Sequence, residues 1–316
     1  MPVRWGFLGA GFVASRAMGP AVHAAQHATL HAVASRDEAR SATLEPSVVH
    51  GSYEALLADD NIDAVYISLA NHQHLEWVTR ALEAGKHVLC EKPLALNATE
   101  ARAMADTAAA HNKLLIEAVW VRWHPRFRRM TELIASGTLG EVTDITSAFT
   151  SMSDMTENYR LHPEMGGGAL LDVGCYQVHA WSAFAGPLTN VTISDVHREV
   201  GPTGIDVTSR VRSVINTRVA THAVSSFAMP SSQVLSVTGT ETTLKTGIGE
   251  AFTSWREEST LLLGDVTESF AAVDAFVEMT DQVSQYFAGQ APCHVSLDES
   301  VRVAEILDTI AAHPAA

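Results

Sequence analysis

Apolar runs and amphipathic stretches take turns along the first part of the chain. Residues 3–8, 30–34, 62–69, 88–90 and 114–116 are short and mostly apolar, and each reads as a buried parallel strand. Helical patterns lie between them. One is short, at 53–57. Another sets Leu75, Val78 and Leu82 on one face before Gly85, and a third covers 98–111. Alternating strand and helix indicate a doubly wound parallel sheet. A helix over 125–136 closes at Gly137. Beyond Glu141 the pattern changes. Strand-like runs at 142–151, 191–197, 207–216, 219–229 and 234–239, and near Thr253 and Leu261, follow with few helices between them. Strands without crossover helices make an antiparallel or mixed sheet. Residues 270–287 read as a helix with Phe276, Val277, Val283 and Phe287 as its apolar stripe. Ser296 and Glu299 form a capping box for a last helix that buries Val301, Ala304, Leu307 and Ile310. The expected architecture is α/β: a doubly wound parallel sheet over 1–120, then an α+β domain with an open mixed sheet over 121–316.

Ligands of an open parallel sheet bind beyond the carboxyl ends of its strands, so the chemistry is sought there. The first strand runs into Gly9-Ala10-Gly11-Phe12-Val13-Ala14. This is a G-x-G-x-x-A fingerprint in its required setting of strand, turn and helix. Gly9 permits the turn, and Gly11 lets backbone approach a pyrophosphate. The helix opening at Phe12 and Val13 offers its N–H groups to phosphate. The second strand ends at Ser35-Arg36-Asp37. An acid here would accept from a ribose 2′-OH, whereas a 2′-phosphate needs a donor and a positive charge. Ser35 and Arg36 supply both and Asp37 comes late, so NADP is favoured over NAD. The next strand leads to Asn71, a good helix cap, and to His74, which suits either packing or ligand contact. The fourth ends in Glu91-Lys92-Pro93, an acid and a base where a ligand sits. After the fifth, Trp120, Arg122, Trp123 and His124 form an apolar wall with directed polar groups, as a polar ligand with an apolar face requires. From Arg126 onward, through Arg128 and Arg129, helix packing and solvated charge account for the residues.

One helix of the second half stands apart. Gly166-Gly167-Gly168 precede a stretch in which Asp172, Tyr176 and His179 share a helical face. A carboxylate, a phenol and an imidazole are unusual on a face meant only for burial. Tyr159, Arg160 and His162 lie on a loop able to reach the same place. The formal charge of −15 argues against a general nucleic-acid or anionic-membrane surface. Three cysteines without a C-x-x-C pair suit a reducing, cytoplasmic setting. Fifteen histidines invite a metal hypothesis, but no H-x-x-x-H or H-E-x-x-H pair stands on a plausible helix, so no metal site is expected.

Together, Gly9–Ala14, Asn71–His74, Glu91-Lys92-Pro93, the run from Glu117 to Pro125 and that from Gly166 to Tyr176 resemble the Gfo/Idh/MocA oxidoreductases. The resemblance runs from the first strand to the last helix. Within the family the chain is most similar to the group of dimeric dihydrodiol dehydrogenase, NADP-dependent D-xylose dehydrogenase and glucose–fructose oxidoreductase, which carry Tyr at position 176. The resemblance implies a Rossmann domain, an open sheet that forms a homodimer, a cis Lys92–Pro93 bond, and cofactor-ribose contacts from Glu91 and Lys92. It implies hydride transfer between NADP(H) and a sugar, cyclic polyol or dihydrodiol. On this resemblance Lys92 and Tyr176 are expected at the reacting oxygen, either one moving the proton, with Asp172 expected to hold the geometry of one of them. Trp120, Arg122, Trp123, Tyr159, Arg160 and His179 are the substrate-facing candidates. His179 stands where several relatives have Asp. Two other readings stay open: a nucleotide sensor without turnover, and an aldose–aldose oxidoreductase that retains its cofactor.

Overall fold

The computed structural model describes residues 1–152 and 158–313. Two compact units make up the chain. The first is Met1–Trp120 with Asp274–Val301, and the second is Val121–Val273 with Arg302–Ala316.

In the first unit, β1 (Val3–Leu8), β2 (Ala28–Ala34), β3 (Val48–His50), β4 (Ala64–Ile67), β5 (His87–Glu91) and β6 (Leu115–Ala118) form one sheet in the order β3-β2-β1-β4-β5-β6. Every pairing is parallel. The order reverses between β1 and β4, which opens the crevice for a ligand beside the end of β1. The crossover elements are α1 (Gly19–Ala24), α2 (Glu38–Ala42), α3 (Tyr53–Leu57), α4 (His74–Glu83) and α5 (Ala98–Ala110). β1 and β4 are buried almost throughout, with Trp5, Phe7, Leu8, Val65, Tyr66 and Ile67 at 0% exposure. That is why their sequence shows continuous apolar runs and not alternation.

The second unit opens with α6 (Pro125–Ala135). Its sheet contains β7 (Val142–Met152), β8 (Val191–Val200), β9 (Asp206–Ile215), β10 (Val219–Ser226), β11 (Ala228–Gly239), β12 (Thr243–Thr246), β13 (Ser259–Leu263) and β14 (Val266–Phe270). The order is β14-β13-β12-β11-β7-β10-β9-β8. β7 and β10 pair in parallel while the other neighbours are antiparallel, so the sheet is mixed. The long helix α7 (Cys175–Ala185) packs against β7 and β10. Gln177 is its polar tie: Ser147 donates to Gln177 Oε1 at 2.8 Å, and Gln177 Nε2 donates to Val224 O at 3.0 Å.

The structure departs from the sequence expectation in several places. The second unit does not run unbroken from 121 to 316. Helix α8 (Ala275–Phe287) belongs to the first unit and packs on α1, β1 and β2. Its buried stripe of Phe276, Met279, Val283 and Phe287 completes the core around Trp5, whose Nε1 donates to Ser284 Oγ at 3.1 Å. This helix also starts later than expected, because 266–270 form a strand instead. Near Thr253 there is no strand, and β12 and β14 are short segments that left little trace in the pattern. The last helix, α9 (Leu297–Ala311), opens as expected, with Glu299 N donating to Ser296 Oγ at 3.1 Å.

Candidate active site

In the first unit the carboxyl edge of the sheet carries the cofactor candidates. Gly9 has a φ of +100°, and a Cβ placed there would lie 2.8 Å from Ser68 O. Only glycine fits both conditions. Gly11 is different: a Cβ there would meet a single atom at 4.0 Å, so its backbone faces open space. Phe12 is 74% exposed at the start of the helical chain, which continues through a π-helical turn at Ala14–Met18. This arrangement fits a dinucleotide, because a bare glycine backbone and a helix opening lie at the switch point of the sheet.

At the end of β2, Ser35 Oγ donates to Asp37 O at 2.7 Å and lies 2.8 Å from Ser41 Oγ. Asp37 caps α2 by accepting from Arg40 N at 3.0 Å. Its carboxylate is thereby engaged in the helix start. Arg36 is exposed, and its charge works against the burial that raises the Tyr53 phenol pKa.

Three elements seat the Glu91-Lys92-Pro93 segment. Tyr66 Oη, on β4, donates to Glu91 Oε1 at 2.6 Å. Glu117, on β6, accepts from Leu94 N at 3.0 Å. His74, at the start of α4, places Nδ1 3.0 Å from Pro93 O and Nε2 3.2 Å from Leu69 O. The Lys92–Pro93 bond is cis. His74 has no accessible surface, so it supports this loop and is not a surface for a cofactor. Burial lowers its pKa against the pull of the three carbonyls around it. Asn71 is 2% exposed and begins a 3-10 turn in which Ala70 holds the cap position, so it is not the expected cap of α4. Trp120 stacks on Phe276 at 5.7 Å.

In the second unit, Arg160 Nε lies 2.8 Å from Asp172 Oδ2. Asp172, placed in the sequence reading to hold Lys92 or Tyr176, is tied here to a loop arginine. It sits in a π-helical turn, Leu170–Gly174, that runs directly into α7. The extra residue of a π turn alters the simple i, i+4 stacking expected between Asp172 and Tyr176. Asp206 begins this helix from a distance: its Oδ2 accepts from Leu170 N at 2.8 Å. Tyr176 is 6% exposed, with Phe149 at 5.8 Å and Phe252 at 6.0 Å between ring centres. Neither phenylalanine stood out in the sequence, since single aromatics in a strand and a loop carry no periodic signal.

The glycine run has a specific cause. A Cβ on Gly167 would lie 2.4 Å from Arg160 O and 2.9 Å from His162 O, and one on Gly168 would lie 2.1 Å from Asp206 Oδ1. Glycine therefore lets the Arg160 loop and the Asp206 carboxylate close on the helix start.

Two candidates for substrate contact, Trp123 and His179, have no accessible surface. Packing claims them: Trp123 is enclosed at the end of a 3-10 turn, and His179 lies on α7, which is buried nearly all round and not along one edge. Arg122 is 8% exposed, with its guanidinium 5.6 Å from the Phe127 ring centre. Arg126 belongs to the packing part of the expectation for this helix. Far from being solvated, its side chain is 2% exposed, with Nη1 3.1 Å from Glu250 Oε2 and Nη2 donating to Glu250 O. Burial lowers its pKa to about 10, although Glu250 acts in the opposite sense. His124 caps α6 by accepting from Arg126 N at 3.1 Å, and burial followed by the Arg126 charge lowers it to about 4.

Comparison with known proteins identifies the family. Residues 3–119 match the model of an oxidoreductase family with an NAD-binding Rossmann fold, and residues 127–245 match the GFO/IDH/MocA C-terminal domain. The D-xylose 1-dehydrogenase (NADP(+)) 2 of Haloferax volcanii is 36% identical, over 97% of this chain and 95% of that protein. The trans-1,2-dihydrobenzene-1,2-diol dehydrogenase of Mus musculus is 34% identical, over 67% of this chain and 64% of that protein. Among solved structures, a 3-ketoreductase from Actinomadura kijaniata in complex with NADP and TDP-benzene superposes with a TM-score of 0.89. It is 26% identical, and the match covers 98% of this chain and 97% of that one. Since the 36% identical relative from Haloferax volcanii spans nearly the whole sequence, the chain belongs to the GFO/IDH/MocA oxidoreductase family.

Proposed function

We propose that the protein uses NADP(H) to interconvert a CH–OH carbon and a carbonyl on a sugar, cyclic polyol or dihydrodiol. The observation that carries this reading is the seating of Lys92. Its segment is fixed on both sides from Tyr66, His74 and Glu117, which supports a role for Lys92 at the carboxyl end of β5. NADP over NAD is supported by Ser35 and Arg36, by the engagement of Asp37 in a helix cap, and by the NADP named for two similar proteins.

The nicotinamide supplies and accepts the hydride when bound. Lys92 polarises the substrate oxygen, and Tyr176 takes the hydroxyl proton in oxidation and returns it in reduction. Glu91 and Lys92 meet the nicotinamide ribose, while Gly9, Gly11, Phe12 and Val13 meet the pyrophosphate. Trp120, Arg122 and Tyr159 face the substrate. Tyr176→Phe should lower turnover by about 100-fold or more, the range of general acid–base contributions, with NADPH affinity nearly unchanged. If affinity fell in step, Tyr176 would be structural. A panel of aldoses, dihydrodiols and anhydro-sugars with both cofactors identifies the substrate. Tight NADPH binding with no turnover across that panel would instead make the chain a sensor.

The same reading includes a cytoplasmic homodimer formed through the second sheet. One face of that sheet carries Thr146, His222 and Arg212, all exposed and side by side across β7, β10 and β9. Light scattering at a single mass of one chain would refute the dimer. Among the described residues no helix is long and apolar enough to cross a membrane.

A further inference from the structure

Resting on the assignment of Tyr176 as the proton carrier, we propose that Arg160 is a positioning residue. Its guanidinium neutralises the Asp172 carboxylate, so that Tyr176 gives up its proton beside a paired charge and not beside a bare buried anion.

Arg160 is built into its place. Its Nε lies 2.8 Å from Asp172 Oδ2, with the two side chains only 27% and 12% exposed. Its guanidinium lies 4.8 Å from the Tyr159 ring centre. Asn158 Oδ1 accepts from Arg160 N at 3.1 Å, and Arg160 O accepts from Gly168 N at 3.0 Å. Gly167 is bare so that this backbone can approach. A surface arginine has no such fixed seat, and exposed ion pairs hold little energy.

Asp172 and Tyr176 lie on successive turns of one helical stretch. A carboxylate with little access to water disfavours a second negative charge nearby. A cation on that carboxylate removes the penalty. The charged and titratable groups of this cluster are Asp172, paired with Arg160, Tyr159 under the Arg160 guanidinium, and Asp206 at the start of the helix that carries Tyr176. Burial works to lower the Arg160 pKa, but Asp172, Tyr159 and Tyr176 together outweigh it and raise it. Arg160 therefore stays charged throughout the working range.

The test compares Arg160→Gln, Arg160→Lys, Asp172→Asn and the double variant Arg160→Gln/Asp172→Asn. Two readouts are used: the pH profile of kcat/KM for alcohol oxidation, and the ultraviolet difference titration of each protein against its Tyr176→Phe counterpart without substrate. Arg160→Gln should move the Tyr176 ionisation up by about one pH unit, or tenfold less phenolate at a given pH. Arg160→Lys should leave it near the parent value. Removing Asp172 as well should recover at least half of the shift, because the bare anion is gone. A fall in rate with the ionisation unmoved would overturn the proposal, as would a double variant that recovers nothing. Should Arg160→Gln not fold, Asp172→Asn alone decides: it must move the ionisation down. The absorbance titration follows the phenol even if Tyr176→Phe retains full turnover, so failure of the catalytic assignment is separable from failure of this one.

Discussion

Replacing Arg126 with methionine removes a cation that the second unit has buried completely. The pair with Glu250 has side-chain exposures of 2% and 24%. Arg126 Nη2 also donates to Glu250 O and lies 3.5 Å from Ala251 O. Breaking one partner of a buried pair costs about 3–5 kcal/mol, mostly as an uncompensated charge. Glu250 keeps the Thr260 N donor at 2.8 Å and is partly exposed, so the cost falls to the bottom of that range or just under it, about 2–3 kcal/mol. Methionine preserves most of the stem volume and adds little cavity. For a unit of this size each kcal/mol is worth about 2–4 °C in Tm, so the fall should be roughly 5–10 °C. Differential scanning calorimetry measures it. The loop that Arg126 holds also brings Phe252 against Phe149, with ring centres 5.4 Å apart, and against Tyr176. Turnover should therefore fall along with stability. Adding Glu250→Gln to Arg126→Met removes the stranded charge, so the double variant should be more stable than the sum of single effects by about 1 kcal/mol or more. A Tm within a degree of the parent, or strict additivity in the cycle, would refute the buried-pair argument.

Gly167→Ala places a methyl 2.4 Å from Arg160 O, a backbone atom that must move. It should destabilise by about 1–3 kcal/mol, and its pH profile of kcat/KM should shift in the same direction as that of Arg160→Gln. Asp59 accepts from Asn61 N at 2.8 Å and from His50 and His31, and these partners hold its pKa well below the usual carboxylate range. A depressed carboxylate contributes stability above its unfolded pKa and loses it as pH falls through the folded value. The stability gap between parent and Asp59→Asn should therefore be full above about pH 4 and narrow below it in acid denaturation series. His124 is neutral when folded down to about 4. The unfolded chain takes up that proton at about 6.5, so stability falls as pH drops between these values. His124→Asn keeps an oxygen for Arg126 N and should flatten that slope in Tm measured from pH 7 to pH 4.

The first sheet was legible because its strands end in residues with a single physical purpose. Gly9 must turn, and Glu91, Lys92 and Pro93 break an apolar run abruptly. The return of α8 was not legible. Phe276, Val283 and Phe287 announce a buried stripe without saying which surface receives it. The two π-helical turns, at Ala14–Met18 and Leu170–Gly174, leave no periodic mark, so the spacing of Asp172, Tyr176 and His179 gives no sign of the wider turn at its start. The ion pair of Arg126 was not legible, since its partner Glu250 lies 124 residues away. His74 left two uses open, and only its three carbonyl neighbours decide between them.

Helix α8 carries a consequence for how the chain is made. Trp5 meets Ser284 across a separation of 279 residues. At elongation rates of about 5–20 residues per second, roughly 15–60 s pass between the emergence of these partners. For that interval the nascent first sheet shows the ribosome's surroundings an indole and apolar strands that only the late helix will cover. A fragment ending at Trp120 would stay in that half-dressed condition, so separate expression of the nucleotide-binding portion requires Asp274–Val301 to be supplied with it.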